Sequence, residues 1–139
     1  MIRALVIADS GVVMSQVTAA LCQLGNVDIV AHANGRAPVA RIARAVSPDV
    51  VLIDEMAWTG LALARVAEVR EAAPLAAVVG LAERPDAPWV LAGLRAGAAA
   101  VVPRGLEPAT LGLVLDEVLA TTQSGARPEQ LVGPTEGAA

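Results

Sequence analysis

The feature that most constrains the fold is a series of short apolar runs separated by segments with helical spacing. Five runs, at residues 3–8, 28–33, 49–53, 75–81 and 99–102, are mostly apolar and end in polar, Gly or Pro residues. Short runs of this kind, apolar without strict alternation, are typical of strands buried on both faces of a parallel sheet.

Each run is followed by a segment whose apolar residues recur at helical spacing. In the first, Val13, Val17, Leu21 and Leu24 fall on one helical face, and Gly25 can end the helix. The five predicted helices occupy residues 12–24, 38–46, 60–73, 88–95 and 107–120. Strands alternating with helices predict an α/β fold of (βα)5 type: a doubly wound, five-stranded parallel sheet covered on both faces.

A chain of 139 residues is most simply one domain. Residues 1–120 carry the strand–helix pattern, and residues 121–139, rich in Gly, Pro and Ala, are expected to be a flexible C-terminal tail or linker. The chain has no Phe or Tyr, so the core is expected to consist of aliphatic side chains, with Trp58 and Trp89 as the only large rings.

Charge and hydropathy exclude several classes of protein. The net charge is −4 and no basic stripe is present, so we expect no nucleic-acid partner for this chain itself. No apolar stretch reaches the about 18 residues of a membrane-spanning helix, and no signal peptide is evident. The single cysteine, Cys22, excludes an internal disulfide and is expected to be a small buried residue in a reducing cytoplasm.

The candidate site lies where the strands end, because open parallel sheets bind ligands beyond the carboxyl ends of their strands. Asp9 follows the first strand, Asp54 the third and Arg104 the fifth. The first and third strands are usually adjacent, so the two carboxylates are expected to converge. They repel unless a hard cation or an arginine lies between them. The pattern predicts a cradle for a divalent metal and a phosphoryl group.

Over residues 2–120 the chain resembles the receiver domain of two-component response regulators. The segments that carry the resemblance are SPDVVLID at 47–54, AHANGRAPVARIARAVSPDVV at 31–51 and LRAGAAAVVPRG at 94–105. Each segment alone is a weak signal, but their order and spacing together are specific. The resemblance implies the flavodoxin-like receiver fold.

The resemblance also implies roles for individual residues. Asp54 would be the phospho-acceptor, and Asp9 one of the acids that hold Mg²⁺. The backbone carbonyl of Met56 would be the third protein ligand of the metal. Arg104 stands at the position of the phosphate-binding lysine, where it would bind phosphate or pair with Asp54 or Asp9.

The chain departs from the family pattern at several of its functional positions. Ala8 replaces the first acid of the metal pair, so Mg²⁺ binding is expected to be weak. Leu81 replaces the switch Thr or Ser, and Val101 replaces the switch aromatic residue. Phosphorylation of Asp54 is therefore expected to be inefficient, with its usual readout lost, while Glu55 is expected to be a solvated bystander.

These features predict an atypical receiver that acts by protein–protein contact and is set without phosphorylation or by another ligand. The expected partners are a histidine kinase or other signalling protein and a second copy bound through the fourth helix, fifth strand and fifth helix. Trp89 on the fourth helix is a candidate interface anchor if exposed, and Trp58 is expected in the loop over the site. No enzymatic activity is expected beyond slow self-phosphorylation from a phosphodonor.

Three alternatives remain open from the sequence. The chain could be the N-terminal receiver part of a DNA-binding transcriptional regulator, or a receiver-like module that binds a small ligand. It could also be a small enzyme on a flavodoxin-like fold. The sequence has no Gly-x-Gly-x-x-Gly after its first strand and no Ser-His or Cys-His pattern, which argues against the enzyme.

Overall fold

The computed structural model describes residues 1–56, 59–84 and 86–123. The five strands are β1 Ile2–Ile7, β2 Val27–Ala33, β3 Val50–Asp54, β4 Ala77–Ala82 and β5 Ala100–Pro103. The five helices are α1 Gly11–Leu24, α2 Val39–Val46, α3 Thr59–Ala72, α4 Ala87–Ala96 and α5 Pro108–Gln123.

All neighbouring strands are parallel, in the order β2-β1-β3-β4-β5. The predicted fold class, a doubly wound (βα)5 sheet, is confirmed. Most predicted boundaries agree within two residues; helix α5 runs to Gln123, three residues beyond its predicted end at residue 120. The rest of that tail, residues 124–139, lies outside the described residues.

The sheet has an apolar layer on each face because the side chains of a strand alternate between the faces. Val6, Leu52 and Val79 point to one layer, which α1 and α5 close with residues such as Leu21 and Leu115. The opposite layer, closed by α2 and α3, takes the intervening strand positions: Leu5, Ile7, Val51, Ile53 and Val78. Burial of each such side chain contributes about 1.5–3 kcal/mol.

Short polar and glycine signals fix where the helices begin and end. The Ser10 side chain accepts a hydrogen bond from Val13 N (3.3 Å) at the start of α1, and that of Asp86 accepts one from Trp89 N (3.0 Å) at the start of α4. Gly97 ends α4 in the left-handed conformation, with φ of 119°.

Cys22 lies exposed on α1, so the prediction that it is buried is wrong. In the part of the chain that the structure describes, no helix is both long and apolar enough to cross a membrane.

Candidate functional site

The site is built around Asp54, the last residue of β3. Strand β3 lies between β1 and β4; Ile7 is the register partner of Ile53, and Leu81 that of Asp54. Asp54 is only 2% exposed, and it is the one buried polar or charged residue in the described ranges. A carboxylate removed from water in this way needs a charged or hydrogen-bonding partner.

Arg104 is that partner, and two N–H groups of its guanidinium contact the carboxylate. Its Nε donates to Asp54 Oδ1 and its Nη2 to Asp54 Oδ2, each at 2.9 Å. The backbone N–H of Arg104 donates to the carbonyl of Ala82 at 2.8 Å, which fixes where the side chain starts. From there it reaches across β4 to β3, about two strand spacings of 4.8 Å each. The contact is a bidentate ion pair, the geometry that arginine favours with carboxylates.

Two further carboxylates surround the same guanidinium. Glu55 Oε1 lies 3.8 Å from Arg104 Nη2, and Glu83 Oε1 lies 3.7 Å from Arg104 Nη1. Glu55 Oε1 also accepts a hydrogen bond of 2.8 Å from the backbone N–H of Glu83. The expectation that Glu55 is a solvated bystander is therefore wrong, because its side chain joins the end of β3 to the connection between β4 and α4.

Asp9 is bonded to the backbone of the β2–α2 connection. Its Oδ1 accepts a hydrogen bond of 2.7 Å from the backbone N–H of Gly35, in the β2–α2 connection. The carbonyl of Gly35 accepts one of 2.6 Å from Arg65 Nε on α3. Among the described residues no hydrogen bond or ion pair joins Asp9 to Asp54. The pair of Asp54 with Arg104, one of the alternatives that the resemblance left open, is present, and the convergence of Asp9 on Asp54 stays a prediction.

The residues predicted to hold Mg²⁺ do not fit a divalent cation in this arrangement. Both oxygens of Asp54 accept from Arg104, and Oδ2 also accepts from Met56 N at 3.2 Å. Asp9 Oδ1 accepts from the N–H of Gly35, and the side chain of Ala8 has no ligand atom. Within residues 1–56, 59–84 and 86–123, no three His, Cys, Asp or Glu side chains are grouped as a metal site.

Leu81 and Val101, at the positions of the family's two switch residues, both pack against apolar side chains. Leu81 is buried in the layer that α1 and α5 close. Val101, on β5, packs toward α4 so closely that a Cβ on Gly93 would lie 2.9 Å from Val101 Cγ2. Helix α4 therefore approaches β5 through a glycine, with the valine side chain between them.

Trp89 is a core residue of α4 and not a surface anchor. It is 5% exposed and packs with Ala62 of α3, Ala82 of β4 and Val101. Its indole N–H is buried and has no hydrogen-bond partner in the described structure. The interface role predicted for an exposed Trp89 is therefore wrong. Trp58 lies outside the described residues.

Comparison with known proteins finds similarity at the level of three-dimensional structure. No protein-family model matches the chain, and no curated protein matches it. The signal receiver domain of the response regulator NarL from Mycobacterium tuberculosis is 26% identical, with a TM-score of 0.72, covering 84% of this chain and 95% of that one.

Two further solved structures have lower identity and similar shape. A CheY-like receiver domain protein from Methanospirillum hungatei is 15% identical, with a TM-score of 0.73 and coverage of 91% and 99%. A LuxR-family two-component response regulator from Aurantimonas sp. is 20% identical, with a TM-score of 0.71 and coverage of 99% and 98%. The resemblance drawn from the sequence is confirmed at the level of the fold: the chain has the (βα)5 fold of response regulator receiver domains.

Proposed function

We propose that this chain is an atypical receiver domain of two-component (phosphorelay) signalling, which acts by protein–protein contact and whose contact surface is set without phosphorylation of Asp54. The observation that carries the proposal is the packing between β5 and α4. Val101, at the position of the switch aromatic residue, packs against Gly93 and Trp89 of α4.

Phosphorylation of Asp54 would meet no responding group at the two switch positions, Leu81 and Val101. Leu81, the register partner of Asp54, offers aliphatic carbon and no hydroxyl to a phosphoryl oxygen. Val101 has no hydroxyl or ring, and its Cγ2 already occupies the space above Gly93. A phosphoryl group on Asp54 would therefore form no hydrogen bond with Leu81. It would also cause no hydroxyl or ring on β5 to move inward.

The proposed partners are a histidine kinase or other signalling protein and a second copy of this chain. Helix α4 carries two exposed apolar side chains, Leu91 at 50% and Leu94 at 39%, and α5 carries Leu113 at 69%. Exposed leucines on these helices support a homodimer through α4, β5 and α5, since apolar surface removed from water stabilises an interface. We propose no catalytic reaction for the chain beyond slow self-phosphorylation. We also propose that it acts in the cytoplasm.

Mass spectrometry with parallel sedimentation tests the proposal. The protein and its Asp54→Asn variant are incubated with acetyl phosphate and Mg²⁺, and phosphate at Asp54 is quantified. We expect substoichiometric labelling and the same oligomeric state with and without the phosphodonor. Stoichiometric phospho-Asp54 that changes the oligomeric state, absent in the Asn variant, would overturn the proposal.

A repaired variant provides the positive control. Leu81→Thr combined with Val101→Tyr restores the hydroxyl and the ring, and its thermal unfolding is measured first, because Val101 Cγ2 already packs closely above Gly93. If the domain lacks only its readout, this variant should respond to the phosphodonor more than the wild-type chain does. An equal response from both proteins would contradict the role given to these two positions.

A further inference from the structure

We propose that the guanidinium of Arg104 stands in for a divalent cation at this site, so that the domain is metal-independent and a cation site appears only when Arg104 is removed. The inference rests on the proposed function only in treating Asp54 as the centre of a receiver-type site. Its experiment uses no phosphodonor, so the two proposals fail separately.

The hydrogen bonds of Asp54 are the first support. Two N–H groups of Arg104 and the N–H of Met56 all donate to this carboxylate, at distances of 2.9, 2.9 and 3.2 Å. A carboxylate has about four lone-pair directions, so three are in use. A cation that bound both oxygens of Asp54 would have to displace the guanidinium from them.

The charge around Arg104 is the second support. The carboxylates of Asp54, Glu55 and Glu83 lie within 4 Å of one guanidinium, which gives this group a formal charge of −2 with Arg104 and −3 without it. The guanidinium thus offsets one of the three negative charges around it. Its removal would leave the carboxylates of Asp54 and Glu55 without a positive charge between them, and carboxylate oxygens are the ligands that hard divalent cations prefer.

The position of Nη2 identifies the oxygens that a replacement cation would use. This nitrogen lies 2.9 Å from Asp54 Oδ2 and 3.8 Å from Glu55 Oε1, so it sits between two carboxylates. Glu55 is held there by the Glu83 N–H, which bonds the same oxygen. The latent cation site is therefore centred on Asp54 and Glu55, and it does not include Asp9, whose Oδ1 is bonded to Gly35.

Calorimetric titration with Mg²⁺, Mn²⁺ and Ca²⁺, together with thermal unfolding in the same solutions, tests the inference. Ionic strength is matched with NaCl, and the proteins are the wild-type chain, Arg104→Ala and Arg104→Ala with Asp54→Asn. We expect no saturable binding and no rise in unfolding temperature for the wild type. Arg104→Ala should unfold at lower temperature, regain part of the loss on adding a divalent cation, and bind it saturably at concentrations at least tenfold below any at which the wild type responds.

The double variant and a distant arginine are the controls. Loss of the Asp54 charge should abolish the cation response, and Arg65→Ala, which removes an arginine from the Gly35 carbonyl, should unfold earlier without any divalent rescue. Saturable Mg²⁺ binding by the wild-type chain at low millimolar concentration would overturn the inference, as would an Arg104→Ala protein indifferent to divalent cations. If Arg104→Ala does not fold, Arg104→Gln takes its place. The titration of the wild-type chain by itself tests whether the domain is metal-independent.

Discussion

Asp54 is a carboxylate with almost no access to water, and its stability in the fold depends on one arginine. Arg104→Met keeps the aliphatic stem and removes the charge, so it leaves Asp54 buried and unpaired. Because Arg104 itself is 21% exposed, some water can reach the site. We expect a loss of about 2–4 kcal/mol in the free energy of unfolding, near the lower end for a broken buried pair.

Urea unfolding of the single and double variants measures this loss. Adding Asp54→Asn to Arg104→Met removes the unpaired charge and should recover part of the stability. A single variant that loses less than about 1 kcal/mol would place this pair among ordinary surface ion pairs and contradict the argument.

Gly35 is a second residue on which the local structure depends. Its N–H is bonded by Asp9 and its carbonyl by Arg65, and a Cβ added there would overlap Met56 Sδ. Gly35→Ala should therefore lower the free energy of unfolding by about 1–3 kcal/mol, the usual cost of overpacking. Gly105→Ala is the matched control in the same urea experiment, because a Cβ at Gly105 meets no atom within 4 Å. Equal losses from the two variants would contradict the packing argument.

The sequence places most of the site residues at the correct edge of the sheet and leaves their pairing open. Strand ends locate Asp54 and Arg104, since the carboxyl ends of parallel strands share one edge. The pairing of Glu55 depends on the backbone after β3, where Met56 adopts a φ of 64° that no local residue pattern indicates. Asp9 accepts its hydrogen bond from a backbone N–H. Because every residue except proline has such a donor, the residue types in the sequence do not indicate which one Asp9 contacts.

At the scale of secondary-structure elements, α4 is the helix whose position matters most for the proposed function. It packs on β5 through Gly93 and Val101, so the two residues should be energetically coupled. Gly93→Ala should lower the free energy of unfolding by about 1–3 kcal/mol, because its methyl group would press on Val101 Cγ2 at 2.9 Å. Val101→Ala makes room for that methyl group, so in that background Gly93→Ala should cost less.

A double-mutant cycle measures the coupling. The four proteins are unfolded in urea, and we expect an interaction energy of at least about 0.5 kcal/mol, the lower range for residues in contact. Gly93→Ala also gains helix propensity of about 1 kcal/mol, and this gain cancels between the two backgrounds of the cycle. Additive effects would indicate that α4 does not depend on this contact for its position.

The sequence predicts the elements more reliably than the face that each helix buries. The five apolar runs predict five strands correctly, because a strand whose two faces are both buried is apolar at nearly every position. On α4, however, Trp89, Leu91 and Leu94 are all apolar, so periodicity alone does not decide which of them points inward. Contact of Trp89 with Ala62 and Ala82 on other elements decides it, and those contacts are not visible within the helix sequence.

For the molecule as a whole, the distribution of exposed leucines determines how two copies would meet. Leu91 and Leu94 on α4 and Leu113 on α5 are exposed, and so is Leu75 in the connection between α3 and β4. If the proposed homodimer forms through α4, β5 and α5, a charge on α4 or α5 should weaken it, because the charge would have to be buried without a partner. A charge at Leu75, on none of these elements, should have little effect.

Sedimentation equilibrium over a range of protein concentrations tests this whole-molecule prediction. We expect Leu94→Asp and Leu113→Asp each to raise the dimer dissociation constant at least tenfold, which corresponds to about 1.4 kcal/mol. Leu75→Asp should sediment as the wild type does. A strong effect of Leu113→Asp with none from Leu94→Asp would place the contact on α5 without α4, and an effect of Leu75→Asp alone would place it elsewhere. Either result would contradict the proposed interface. Neither would bear on the proposed metal independence of the site around Asp54, which the cation titrations test separately.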